Sequence, residues 1–283
     1  MPEHVATCNA ALLDGATAQL ARGGLDNPRR EALVLMAWVL GQSPADVLLS
    51  RHREADDSTP KALDWAVARR VAGDPVAYVT GSTGFRYLTV GCDPRALIPR
   101  PETELLVELI LRRVSTGVAA DIGTGTGCIA LSLAREGKFD TVLAVDYSAG
   151  AVALARENAE DAATPISLIH GDLATALGSA SIDALVANPP YLTTNEYERL
   201  DPAVRLWEPR LALESGRDGL DASRSLLGQA AVALRPGGWI GLEVDSTRAS
   251  AVARLAKDAG FESVTIELDL FERERFVMAQ KES

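Results

Sequence analysis

From Val118 onward, short runs rich in Val, Ile, Leu and Ala alternate with segments of helical periodicity, and that alternation leaves few folds open. Strands are expected over 118–122, 141–146, 166–169, 182–187, 238–244, 262–268 and 275–280, and helices over 127–136, 148–161, 219–234 and 247–259. Such a chain specifies an α/β fold: a doubly wound, mostly parallel, seven-stranded sheet covered on both faces. The last two strands follow each other without a helix, so one of them must run antiparallel. Residues 191–216 have no clear periodicity, and a loop that long in a compact domain is usually functional.

The first 75 or so residues read as helices only. A first helix is expected from about Val5 to Ala21. Three more segments open with a capping residue followed by proline: Asn27-Pro28, Ser43-Pro44 and Thr59-Pro60. Ser43 with Asp46 resembles a capping box. Leu33, Met36, Ala37 and Leu40 lie at helical spacing and are expected to form a buried stripe. The segment from Tyr78 to Val90 mixes β-formers with glycines and reads as a hairpin. The expected division is a helical substrate-recognition domain at 1–76, a β-hairpin linker at 77–92 and a third part at 93–283, in which a helix runs from Glu104 to about Val114.

Several function classes are disfavoured. Cys8, Cys92 and Cys128 are odd in number and widely spaced, which argues against a disulfide framework or a zinc knuckle. His4, His52 and His170 do not pair at i, i+4, and no metal site is expected. No basic-then-apolar leader stands at the N-terminus. The longest apolar run, Ala32 to Gly41, is far short of the ~20 residues a span needs. A soluble cytoplasmic protein without membrane contact is expected. The net charge is −11, divided as −2 over residues 1–76 and −9 over the rest, so neither part carries a footprint for phosphate backbones.

Asp121-Ile-Gly123-Thr124-Gly125-Thr126-Gly127 lies between the first expected strand of the alternating region and a helix. Glycines there permit a tight turn and close backbone approach to a ligand. The match to the pyrophosphate fingerprint G-x-G-x-x-G is poor, because the final position is Cys128 or Ala130. Asp121, just before the loop, suits a ligand with a positive amino group. Asp146 ends the second strand, with Tyr147 after it, and a carboxylate there can accept hydrogen bonds from both hydroxyls of a ribose. Asp172 lies past the third strand, placed to meet an adenine amino group, with Leu173 against the ring. Glycines also mark plain turns and strand-end acids also cap helices; what favours a ligand site is that all of these residues fall at one sheet edge.

The fourth strand of this region, Ile182–Ala187, runs directly into Asn188-Pro189-Pro190-Tyr191. Two prolines fix φ and remove two N–H groups, leaving a rigid turn that offers acceptors only: the Asn188 side-chain oxygen and the Pro189 carbonyl. Such a turn holds an –NH₂ group by both hydrogens, and Tyr191 adds a flat face for a planar amide or base. The arrangement suits methyl transfer to a planar nitrogen. Two accepted hydrogen bonds pull the delocalised lone pair toward tetrahedral geometry and stabilise the positive charge that develops.

These residues resemble the class I S-adenosylmethionine-dependent methyltransferases, and within them the amino-methylating group with an (N/D)PP(Y/F) turn. Leu97-Ile-Pro-Arg100-Pro-Glu-Thr103-Glu104 is similar to the signature of the peptide chain release factor glutamine N5-methyltransferases. Further matches are Gly81–Phe85, Glu208-Pro209, Asp218–Asp221 and Arg235–Gly238. The resemblance implies S-adenosylmethionine as cofactor and class I release factors, through their Gly-Gly-Gln loop, as partners. It implies that Asn188, Pro189, Pro190 and Tyr191 hold the glutamine amide. It further implies that Phe85, Arg100 and Thr103 line the cofactor pocket beside the glycine loop. A monomer without direct nucleic-acid contact is expected. Two segments depart from the family pattern, Glu243-Val-Asp245-Ser-Thr-Arg248 and Asp269-Leu-Phe-Glu272-Arg-Glu274-Arg275.

Three other functions use the same residues. A ribosomal protein glutamine methyltransferase shares the turn but usually carries a Ser-Pro form where this chain has Pro101-Glu102. A nucleic-acid adenine or guanine amino methyltransferase shares its chemistry but must flip a base and grip phosphates. A non-enzymatic adenosine-ligand module would bind the cofactor and transfer nothing. The acidic excess at 93–283 favours a protein partner with a basic surface.

Overall fold

The computed structural model describes residues 8–282, which form two compact units. One holds the residues up to Gly81 together with Pro202–Trp207; the other holds Ser82–Asp201 and the residues from Glu208 onward.

The first unit contains α1 (Asn9–Arg22), α2 (Pro28–Leu40), α3 (Pro44–Leu49), α4 (Thr59–Val71) and α5 (Val76–Thr80). Its core gathers Leu13 and Leu20 from α1, Leu35 and Met36 from α2, Val47 from α3, and Leu63 and Val67 from α4. The expected stripe on α2 is rotated by one residue: Ala32, Leu35, Met36 and Ala37 are buried, whereas Leu33 and Leu40 are half-buried. α1 starts at Asn9 because Cys8 is extended and bridges to Glu54; residues 5–7 of the expected helix lie outside the described residues.

The caps also differ from expectation. Ser43 accepts from the Asp46 N–H, but Asp46 answers the Ser43 hydroxyl rather than its backbone, so the box is incomplete. At α4 the acceptor is Asp56, which takes the N–H groups of both Ser58 and Thr59. Tyr78, expected in a hairpin, lies instead on α5, whose exit is Gly81 at φ +76°.

The second unit opens with the hairpin β1 (Ser82–Phe85) and β2 (Leu88–Gly91), followed by α6 (Thr103–Leu111). The alternating region follows as β3 (Thr116–Ile122), α7 (Cys128–Glu136), β4 (Lys138–Asp146), α8 (Ala149–Asp161), β5 (Ser167–His170) and β6 (Ile182–Ala187). Short helices α9 (Thr194–Glu198) and α10 (Pro202–Arg205) interrupt the long loop, α10 belonging to the first unit. The chain ends with α11 (Asp221–Ala233), β7 (Leu234–Glu243), α12 (Ala249–Asp258), β8 (Phe261–Leu268) and β9 (Glu274–Lys281).

The seven strands lie in the order β5-β4-β3-β6-β7-β9-β8. All pairings are parallel except those of β9, which runs antiparallel to both neighbours. Side chains alternate between two cores, as the pleat requires. Ala120, Ile122, Leu185, Ala187, Ile240 and Leu242 face α11 and α12, while Ala119, Ala184, Val186 and Met278 face α6, α7 and the hairpin. Strand order reverses beside β3: the chain moves outward through β4 and β5, then returns to β6 on the other side. Ligands of open α/β sheets bind in the crevice at such a switch point, beyond the carboxyl ends of the strands. Here that crevice is flanked by Gly123 after β3 and Asn188 after β6, because Ile122 pairs with Ala187.

Candidate active site

A cavity of about 690 Å³ opens at this switch point. Its walls include Gly123–Thr126 of the glycine loop, Asp146 and Tyr147 after β4, Asp172 and Leu173 after β5, and Asn188 and Pro190 after β6. Arg100 and Thr103 at the entrance to α6 complete one side, and Leu211, Ala212, Glu214 and Ser215 with Asp221 and Ser225 face it from the long loop and α11.

The loop is shaped by its own acids. Gly123, Gly125 and Gly127 have φ of +72°, +55° and +84°, a region that side chains disfavour. The Gly125 N–H donates 2.8 Å to Asp146 Oδ2, and the Ser148 N–H donates 2.8 Å to Asp146 Oδ1. Asp146 is therefore held at the cavity wall by backbone N–H groups. Burial pushes its carboxyl up, against the N–H groups of Ser148 and Gly125 and the charge of His170.

Asp121 lies beneath the loop rather than on the cavity wall. It is fully buried, and its Oδ2 accepts from the Thr124 hydroxyl at 2.6 Å and the Ala130 N–H at 3.1 Å. Among the described residues its Oδ1 has no hydrogen-bond partner, and burial raises the carboxyl to about 7. The expected direct contact with a charged ligand amine is replaced by a role in folding the loop. Gly127 likewise caps α7 and stands off the wall.

Phe85 departs furthest from expectation. Its side chain is 1% exposed and packs with Leu88, Val90, Leu106 and Ile110 in the core under the hairpin, away from the cavity. The hairpin alternation turns it inward, because β1 must bury one face against α6 and α7. Pro189 and Tyr191 also stand behind the wall formed by Asn188 and Pro190. The Arg275 guanidinium lies 5.9 Å from the centre of the Tyr191 ring, and burial pushes the Tyr191 phenol up, so it stays neutral.

Residues to which sequence reasoning gave no site role support the Asn188–Tyr191 turn. Glu243, 1% exposed, ends β7 beside Asn188, because Ala187 pairs with Leu242. It accepts a 2.6 Å hydrogen bond from Thr103 Oγ1, to which Asn188 Nδ2 donates at 3.2 Å. Glu208 accepts from Arg100 Nη2 and from the Ile98 N–H, fixing the strip between the hairpin and α6. The available signal was positional: Glu243, like Asp121 and Asp146, is an acid at the carboxyl end of a strand. Arg248, in the first departing segment, joins Glu196, Asp245 and the Asp218 carbonyl, so that departure has its own local network.

Comparison with known proteins agrees with this geometry. A family model described as the PrmC N-terminal domain matches residues 11–81, and one described as the methyltransferase small domain matches 101–204. A release factor glutamine methyltransferase of Moorella thermoacetica is 42% identical over 253 residues, covering 88% of this chain and 89% of that protein. Another, of Deinococcus radiodurans, is 40% identical over 274 residues, covering 95% and 97%. Among solved structures, a methyltransferase from Pyrococcus furiosus superposes with a TM-score of 0.53 at 20% identity, over 70% of this chain and 90% of that one. A 16S rRNA N2 G1207 methyltransferase of T. thermophilus, solved with AdoMet and guanosine, gives 0.50 at 21%, over 71% and 49%; both show the fold.

Proposed function

The chain belongs to the release factor glutamine methyltransferase family, and from that premise we propose that it methylates the side-chain amide nitrogen of the glutamine in the Gly-Gly-Gln loop of peptide chain release factors. S-adenosylmethionine is the cofactor and supplies an electrophilic methyl group. The cavity fits it. Asp146 presents its carboxylate on the wall to the ribose hydroxyls, Tyr147, Asp172 and Leu173 border the adenine side, and the glycine loop admits a ligand against its backbone.

The observation that carries the reading is the adjacency of Asn188 to the glycine loop across the β3–β6 pairing. The Asn188 oxygen, on the cavity wall, accepts an N–H bond of the substrate amide. That removes lone-pair density from resonance and stabilises the positive charge growing on nitrogen. No side chain needs to act as a strong base, since the nitrogen becomes acidic only as the methyl arrives.

The helical first unit takes the role of substrate recognition, and the excess of acid residues in the remainder suits a basic protein surface. Among the described residues no helix is long and apolar enough to cross a membrane. Incubation with methyl-labelled cofactor and a release factor is expected to label the Gly-Gly-Gln glutamine. Label that persists on a Gln→Ala release factor would exclude this substrate. Tight, salt-sensitive binding of DNA or RNA would instead favour nucleic-acid amino methylation.

A further inference from the structure

The glutamine side chain must meet Asn188 through its oxygen, yet an asparagine amide presents a donor and an acceptor of nearly the same shape. Something must fix which end faces the cavity. A turn with a free amide would spend part of its time offering N–H to N–H, and a transition state that needs an acceptor would lose that fraction.

We propose that Glu243 and Thr103 are positioning residues that set the orientation of the Asn188 amide. This rests on the glutamine-methylation reading above. An ionised carboxylate only accepts, so the Thr103 hydroxyl proton is directed at Glu243, 2.6 Å away. The lone pairs of Thr103 Oγ1 then face Asn188, which can answer at 3.2 Å only through Nδ2. The acceptor Oδ1 is thereby the end left for a ligand in the cavity that Asn188 lines. Thr103 and Glu243 are 3% and 1% exposed, so water does not compete for the relay.

Burial is the largest influence on Glu243 and pushes its carboxyl up; the Thr103 hydroxyl, Arg275 from β9 and Arg100 from the strip before α6 act the other way, toward the ionised form, and Glu102 opposes them. Arg275 also reaches the Val244 carbonyl and stacks over Tyr191, so its charge is fixed beside the turn. The sequence neighbours of Asn188 do nothing of this kind: both prolines lack N–H groups.

Glu243→Gln tests the relay because it is nearly isosteric. Its amide can donate to Thr103 Oγ1, which turns the hydroxyl proton toward Asn188 and favours the flipped amide. Glu243→Gln and Thr103→Val are expected to lower kcat on a release factor roughly 100-fold, the scale of losing one preorganised partner of the transition state. For Glu243→Gln, cofactor Kd and release-factor KM are expected to stay within about three-fold, since a flipped amide costs little in the ground state. Thr103→Ser, which keeps the hydroxyl, is expected to restore most of kcat. The inference is overturned by Glu243→Gln with wild-type kcat, by Thr103→Ser as slow as Thr103→Val, or by cofactor affinity falling in step with kcat. Wild-type protein that transfers methyl to no release factor would overturn the reading beneath it instead.

Discussion

Arg100 Nη2 lies 2.5 Å from Glu208 Oε1, joining the entrance of α6 to the long loop across 108 residues of sequence. The Glu208 side chain is 2% exposed and that of Arg100 is 35%. Removing the cation therefore leaves a buried carboxylate with only the Ile98 N–H. Arg100→Ala is expected to cost about 2 kcal/mol, at the low end for a broken buried pair because one partner is part-exposed. A double-mutant cycle with Glu208→Gln in chemical denaturation checks it: additive single effects would show that the pair is not coupled.

Asp121 makes stability depend on pH. Burial raises its carboxyl from 3.8 to about 7 in the folded chain. Between those values the folded state holds a proton that the unfolded state releases, so stability falls as pH rises through the window. The full penalty, at most about 4 kcal/mol, is present above pH 7. In the ligand-free chain, Asp121→Asn is expected to gain in Tm over wild type as the buffer goes from pH 4.5 to pH 8. Parallel melting curves across that range would refute the buried titration.

Asp146 has a different duty. Its two oxygens order Gly125 and Ser148 and face the cavity. Asp146→Ala is expected to weaken S-adenosylmethionine binding by about 10- to 100-fold, the range for hydrogen bonds to a charged group. Calorimetric titration reads it directly, and a change under three-fold would remove Asp146 from the cofactor site.

Gly219 is the backbone neighbour of the Asn188–Tyr191 turn. Its φ is +73°, and an added Cβ would stand 2.4 Å from the Tyr191 carbonyl oxygen and 2.6 Å from Arg248 Nε. The carbonyl belongs to the rigid turn and has no easy way to yield. Gly219→Ala is expected to cost at least about 2 kcal/mol, from left-handed strain plus the clash, and to lower kcat as Tyr191 shifts. A variant with unchanged melting and turnover would contradict this packing.

Glu272 explains the second departing segment. It holds φ +60° at an exposed turn whose N–H groups at Phe271 and Arg273 are taken by Asp269. Glu272→Gly is expected to raise stability by about 0.5 kcal/mol, since relief of left-handed strain slightly exceeds the added entropy of the unfolded chain. Thermal melting of the variant should move up by one or two degrees with activity unchanged.

Much of this protein is written locally, and for physical reasons. Alternating apolar runs and helical periods specify the layered sheet, because each element must bury one face. Asp146 and Asn188 could be placed at the ligand edge because each stands at the carboxyl end of a strand, a position set by its own neighbours in sequence. The helical start at Asn9 and the inward turn of Phe85 were not legible, since the bridge of Cys8 to Glu54 and the packing beneath the hairpin decide them.

The partnership of Thr103, Asn188 and Glu243 belongs to the tertiary structure alone. The β6–β7 register shifts between Ile182 and Ala184, and only after that irregularity does Ala187 come level with Leu242. A one-residue slip would have turned Glu243 to the opposite face of the sheet. The sequence by itself determined that a rigid acceptor turn would stand beside a glycine loop. Strand register decided which buried acid would orient it, because pairing is fixed by packing summed over the whole sheet rather than by any residue near the site.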